Sequence, residues 1–198
     1  MMHPDTTFHE VNDIVGLGVF ATKAIPRGTM TYVFDKLEIV VTKDEFEKLD
    51  ENYQPLVQKY SFLDSSGNRI VSWDHGKYVN HCCFPNTLNT GYGFEIAIRD
   101  IAEGEQLTDD YGMFNLRKEL TVCCEKENCR QKVTCNDWDE LTEVWDREVK
   151  RALKLYQSVR QPLECLMSPE AREELYRYLG TGEDYRSVEC NRWHENRT

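Results

Sequence analysis

Apolar residues along this chain come in short runs broken by turn chemistry as far as about residue 111, and at helical spacing after residue 137. GLGVFATKAI (16–25) predicts a glycine turn feeding a strand, and Pro26-Arg27-Gly28 a turn. MTYVF (30–34) and LEIVV (37–41) predict two more strands. Thr42 and Glu45 have capping-box spacing, so a short helix is expected from Thr42, burying Phe46 and Leu49. SFLDSSGNRIVSW (61–73) predicts a hairpin around Ser-Ser-Gly-Asn. FEIAIRDI (94–101) predicts a strand with Phe94, Ile96 and Ile98 on one face. The first seven residues read as loose. Trp138, Leu141, Trp145, Val149, Ala152, Tyr156 and Val159 recur at three and four, which predicts an amphipathic helix to about Val159. A second helix is expected from Ser168-Pro169, with Gly180 just past its end.

The fold class that follows is mostly β with a helical C-terminal tail, joined by a cysteine-rich bridge. With 198 residues, 40% of them hydrophobic, the chain suits one domain with a real core. It has no run of 18 apolar residues, and its first residues lack the basic and apolar regions of a signal peptide. A cytoplasmic location is expected, or a nuclear one in a eukaryote. In a reducing compartment, clustered thiols are more often metal ligands than disulfides. Six of the eight cysteines cluster: Cys82 and Cys83, then Cys123, Cys124, Cys129 and Cys135. The net charge of −11 argues against an extensive nucleic-acid contact and suits a cationic partner.

The chemistry concentrates in YVNHCCFPNT (78–87). Its proline excludes a helix, and the run reads as a loop dense in metal-capable groups. A metal site, a cysteine nucleophile, and a ligand cradle beside a metal anchor all remain open. The nucleophile reading is the weakest, because His81 is adjacent in sequence to the thiol it would have to activate and is expected not to reach it. The other histidines, His3, His9, His75 and His194, have no helpful context.

Four separated patches, GLGVFAT, YVNHCCFPN, GEQLTDDYG and CCEKENCR, together resemble the SET-domain family of protein-lysine methyltransferases. The resemblance rests on Gly16-Leu17-Gly18, on Asn80-His81-Cys82-Cys83-Phe84-Pro85-Asn86, and on Gln106-Leu107-Thr108-Asp109-Asp110-Tyr111. Arg99-Asp100-Ile101 before Glu103-Gly104-Glu105 also fits. It covers roughly residues 10 to 135. Cys129-Arg130 and Asp137-Trp138 look like small stand-alone members of bacterial type. The implied layout is a SET domain over 8–116, a post-SET cysteine-rich segment over 117–136, and a helical extension over 137–198. The implied fold is several small sheets around a knot-like core.

The resemblance implies S-adenosylmethionine as cofactor, held by Gly16, Leu17, Gly18, Val19, Asn80, His81 and Tyr111. Glycines there would let the backbone approach the cofactor closely. Tyr111 is the implied catalytic residue: its phenol would orient a lysine amine, whose ordinary pKa of about 10.4 keeps it protonated until burial and a nearby cation favour the neutral form. The partner is a protein or peptide with an exposed lysine, and no membrane contact is expected. A Zn2+ site is implied at Cys83, Cys124 and Cys129, with Cys123 or Cys135 as the fourth ligand, because Val122 stands where the family has cysteine. Cys82 replaces a serine and is expected to be a packed thiol. Gln106 replaces a glutamate, Gln131 replaces a glycine, and Asp109 stands where relatives carry Phe or Tyr, a position that influences how many methyl groups fit. A catalytically silent, zinc-binding interaction module is the alternative. The retained Tyr111, Asn80 and glycines argue against it.

Overall fold

The computed structural model describes residues 1–122, 124 and 126–194. It opens with strands β1 (Thr6–Asn12), β2 (Gly16–Ala21), β3 (Met30–Val33) and β4 (Ile39–Val41). Two short helices follow, α1 (Lys43–Lys48) and α2 (Gln54–Lys59). Next come β5 (Ser61–Leu63), β6 (Arg69–Val71), β7 (Asn80–His81), β8 (Thr87–Asn89), β9 (Phe94–Ala97) and β10 (Gln106–Asp109). The ribbon β11 (Leu120–Thr121) and β12 (Lys132–Val133) leads to α3 (Asp137–Leu153) and α4 (Pro169–Thr181).

The strands form small separate sheets: β1-β2-β10-β7, β3-β9-β8, β4-β6-β5 and β11-β12. All ladders are antiparallel except β10 with β7, where Thr108 faces Asn80 and Asp109 faces His81. The segment after β7 then wraps β10. Cys82 N donates to Asp109 O, Asn86 N to Thr108 O, and the Asn86 side chain exchanges hydrogen bonds with the main chain of Gln106 and Thr108. Asn86 is fully buried, so these bonds replace water around a strand passing through a loop.

Most expected strands occur, and Thr42 and Glu45 form the capping box at the start of α1. Several expectations need correction. Phe46 and Leu49 are only half-buried, since α1 lies on the surface and Phe46 spends its face against the Arg69 guanidinium. The opening residues are not loose. Met2 is 4% exposed and bridges to Tyr32, and β1 begins at Thr6. A side chain filling a core leaves no periodic signal in so short a stretch. The strand of 94–101 ends at Ala97 and is buried on both faces. Asn80-His81, read as loop, forms a two-residue strand. The helix of 138–159 stops at Leu153, and Tyr156 returns to the core from a 3-10 turn. Gly180 lies inside α4. Gly182, at φ +75°, caps it instead. The α2 helix, with proline in its first turn, was missed.

Two cores stabilise the molecule. A smaller one joins Met2, Val19, Ile25, Tyr32, Ala97, Ile101 and Leu107. The larger packs Met30, Phe94 and Ile96 from the strands against Trp138, Trp145, Val149, Leu153 and Leu175 from the helices. The helical segment is therefore a wall of the main core, and its removal would expose β3, β8 and β9.

Candidate active site

The two glycines at the start of β2 behave differently. Gly16 has φ +81°, a conformation that favours glycine, and its missing Cβ would point into open space. Gly18 sits where a Cβ would come within 2.4 Å of the Gln106 Nε2, 2.6 Å of Val11 and 3.0 Å of Asn80 Nδ2. Its bareness makes room for neighbouring side chains. Leu17 is part-exposed between them, and its carbonyl accepts a 2.9 Å hydrogen bond from Asn80 Nδ2. Val19 is fully buried in the smaller core. The Gln106 Nε2, close to Gly18, is buried and has no acceptor among the described residues. An unpartnered donor and an open glycine turn side by side fit a polar ligand at this edge.

His81 links that edge to Tyr111. Its Nδ1 accepts from the Tyr111 amide at 3.2 Å, and its Nε2 lies 3.3 Å from Cys83 Sγ. Burial holds the imidazole below its ordinary pKa, which suits an uncharged ring with an acceptor at Nδ1. The expectation that His81 would not turn to the adjacent thiol concerned Cys82, and the contact formed is with Cys83. The chain bends at Cys82 and returns the next thiol, Cys83, to the ring. With both nitrogens engaged by the protein, His81 has its main chain left to offer a ligand.

Tyr111 is separated from β10 by Asp110 alone and begins a 3-10 turn to Phe114. Its hydroxyl donates to Val79 O at 2.7 Å, and its ring stacks on Phe114 with centroids 4.9 Å apart. Burial first, then the nearby Asp109 and Glu95 carboxyls, push the phenol above its ordinary pKa. It is a neutral donor at any physiological pH.

Cys83, Cys124 and Cys129 bring their sulfurs within 4.8 Å of one another. Cys83 also receives the Arg130 amide at 3.3 Å, and Cys129 the Gln131 amide at 3.4 Å; burial nevertheless pushes the Cys83 thiol up to about 11, while backbone amides pull Cys129 down to about 7. Three convergent thiols fit a tetrahedral metal lacking one ligand. Cys135 does not join them: it is exposed at the start of α3. Cys123 lies outside the described residues. Cys82 is buried, as expected of a packed thiol, and its sulfur lies near that of Cys124.

Sequence reading missed the ion network beneath this site. Asp110 is 3% exposed and accepts from Arg130 at 2.5 Å, from Trp145 Nε1 at 3.1 Å and from Gly112 N at 3.0 Å. Arg130 also pairs with Asp137 at 2.9 Å. One buried carboxylate thus joins the Tyr111 turn, the cysteine segment and α3. The Asp110-Tyr111 dipeptide was the available signal, but its partners lie 20 and 35 residues away. Two surface hollows of about 410 and 490 Å³, lined by α3 and by Cys165–Tyr176 side chains, touch none of these residues.

Residues 16–112 match the family model described as SET domain. The chain is 32% identical over 130 residues to a variant-silencing SET domain-containing protein of Plasmodium falciparum (isolate 3D7). That alignment covers 58% of this chain and 5% of the relative's length. A crystal structure titled as a "putative histone methyltransferase" of Plasmodium falciparum superposes with a TM-score of 0.40 at 14% identity, covering 56% of this chain and 95% of that one. No described helix is long and apolar enough to cross a membrane.

Proposed function

Since the chain carries a SET domain over residues 16–112, we propose that it is a protein-lysine N-methyltransferase using S-adenosylmethionine. The observation that carries this reading is the junction at β7. Asn80 bonds to the glycine edge, and the next residue, His81, bonds to Tyr111. Hydrogen bonds therefore connect the three widely separated motifs directly.

S-adenosylmethionine would supply an activated methyl group on sulfur. Gly16 and Leu17, the unpartnered Gln106 amide, Asn80 and the His81 main chain are the groups that would hold it. The Tyr111 hydroxyl donates to the Val79 carbonyl, and these two groups would orient a lysine nitrogen. Fixing an amine in line with its electrophile is where most of the acceleration would come from. Zn2+ at Cys83, Cys124 and Cys129, with a fourth ligand, would tie the cysteine segment to the loop that orients Tyr111 through His81. Basic protein segments are the substrate class that the charge of −11 favours.

The test is incubation of the purified chain with isotopically labelled S-adenosylmethionine and either core histones or a cell extract, followed by mass spectrometry. Label on lysine side chains is the expected result. Tight cofactor binding without label on any protein would instead favour the silent module.

A further inference from the structure

Asn115 closes the 3-10 turn that Tyr111 begins. Its backbone stands at φ +54°, in the left-handed region that asparagine tolerates better than most side chains do. It is 5% exposed, and its side-chain amide uses both donors and its acceptor within the protein. Nδ2 donates to Leu63 O of β5 at 2.8 Å and to Asn191 O at 2.9 Å, while Oδ1 accepts from Trp193 N at 2.9 Å. One buried amide thus joins the Tyr111 turn to the β5–β6 hairpin and to the segment after the 3-10 turn of Val188–Asn191.

The same turn is held by a row of aromatic rings. Phe114 stacks on Tyr111 with centroids 4.9 Å apart, and on Phe62 of β5 with centroids 5.3 Å apart. Phe62 and Phe114 are the chain neighbours of Leu63 and Asn115, so the hydrogen bond between that second pair sets how the two rings meet. The C-terminal segment secures the far side of Asn115. The Asn191 side chain donates to Thr90 O at 2.9 Å. The Trp193 ring covers Gly67 in the β5–β6 turn, where a Cβ would come within 2.8 Å of its Nε1, and the Arg117 guanidinium lies 5.4 Å from the ring centre. Trp193 therefore touches both the hairpin and the chain leaving the Tyr111 turn.

We propose that Asn115 is a positioning residue for Tyr111, an inference that rests on the lysine-methyltransferase reading. It ties the Phe62–Phe114–Tyr111 row to the C-terminal segment, and so fixes where the phenol oxygen stands against Val79 O. All three of its side-chain bonds are made within the protein, so it acts through Phe114 and not on the substrate. A phenol oxygen cannot shift unless its ring shifts, and a ring held by stacking follows its neighbour. Loosening Phe114 therefore moves the group that orients the amine, while the bond between Asn80 and the glycine edge is untouched. A displacement of about 1 Å at such a group is enough to slow a reaction by about 10²-fold.

The test uses three substitutions in the full chain. Asn115→Gly accepts the left-handed backbone and removes all three bonds. Asn115→Asp keeps the acceptor for Trp193 N and sets a carboxylate oxygen against two carbonyls. Phe114→Leu cuts the row and leaves the Asn115 bonds in place, so it carries the comparison should the Asn115 variants fail to fold. Each is made alone and together with Tyr111→Phe, and measured for thermal unfolding, S-adenosylmethionine binding, and kcat and KM for methyl transfer to core histones. The folded single variants should bind cofactor like the wild type, with kcat lower by about tenfold or more and KM little changed. On top of Tyr111→Phe the same substitutions should cost less than about twofold, because the hydroxyl they position is already gone. An equal loss of kcat in both backgrounds marks a structural role and overturns the proposal alone, as does a wild-type kcat in a folded Asn115→Gly or in Phe114→Leu. A wild type that binds cofactor but transfers no methyl overturns it together with the methyltransferase reading.

Discussion

The backbone amide of Tyr111 donates to Nδ1 of His81 at 3.2 Å. Since the other ring nitrogen lies against Cys83, one imidazole couples the position of the tyrosine to the thiol cluster. Replacing His81 by Phe keeps an aromatic ring beside Tyr111 and removes both contacts. The Tyr111 amide would be left without an acceptor, at a cost of about 1–3 kcal/mol. Urea unfolding should show that loss, and hydrogen exchange at Tyr111 should quicken more than at Ile96 in the core. Unchanged exchange at Tyr111 would mean the imidazole does not order the turn.

Tyr111→Phe removes the hydroxyl that meets Val79 O while keeping the ring stacked on Phe114. Cofactor affinity and melting temperature should stay near those of the wild type. Methyl transfer should fall by about 10²-fold, the effect of losing one oriented donor. A rate within a factor of three of wild type would remove Tyr111 from the mechanism.

Chelation should act first on the cysteine segment. With zinc removed, protease cleavage is expected to begin between residues 117 and 136, while α3 stays protected by the main core. Cys83→Ser should mimic chelation, and Cys135→Ser should not. Metal content by atomic absorption decides both, and a metal-free wild-type protein would dismiss the clamp.

The two glycines should respond unequally to alanine. Gly18→Ala drives a methyl group into the Gln106 amide and Val11, and overpacking of that kind costs about 1–3 kcal/mol. Gly16→Ala meets no neighbour, and only its φ of +81° resists, at roughly 1 kcal/mol. Equal melting temperatures for the two variants would contradict the packing described for Gly18.

Stability should depend on pH through Glu95. Its carboxyl ionises at about 7 in the folded chain, against an ordinary value of 4.5, so the folded state binds more protons between those limits. Stability must then fall as pH rises from about 4.5 to about 7, by on the order of 3 kcal/mol at most. Asp109, also raised, carries the fall in the same direction to higher pH. Glu95→Gln should flatten the decline when melting temperatures at pH 5 and pH 8 are compared. An equally steep decline in the variant would place its cause elsewhere.

Much of this site was legible because its chemistry is local in sequence. The Asn80-His81 dipeptide, the glycine turn and Tyr111 each announce themselves within a few residues. Strands with alternating or continuous apolar runs, such as Met30–Val33, were readable for the same reason. What escaped depends on long-range company. Asp110 is an ordinary acid until Arg130 and Trp145 close on it, and Glu95 looks like the polar residue of an alternating strand until both faces of β9 prove buried. Met2 needed Tyr32 to give it a place. Val122 breaks the expected cysteine spacing, and the three thiols that do converge, Cys83, Cys124 and Cys129, come from segments some forty residues apart.

The larger core draws on residues from Met30 to Val188. During synthesis the early strands must therefore wait, partly uncovered, until more than a hundred further residues have left the ribosome. A nascent chain halted after Tyr111 would already hold its motifs yet lack the surface that keeps β3, β8 and β9 from pairing with strangers, and it would depend on chaperones until α3 and α4 arrive.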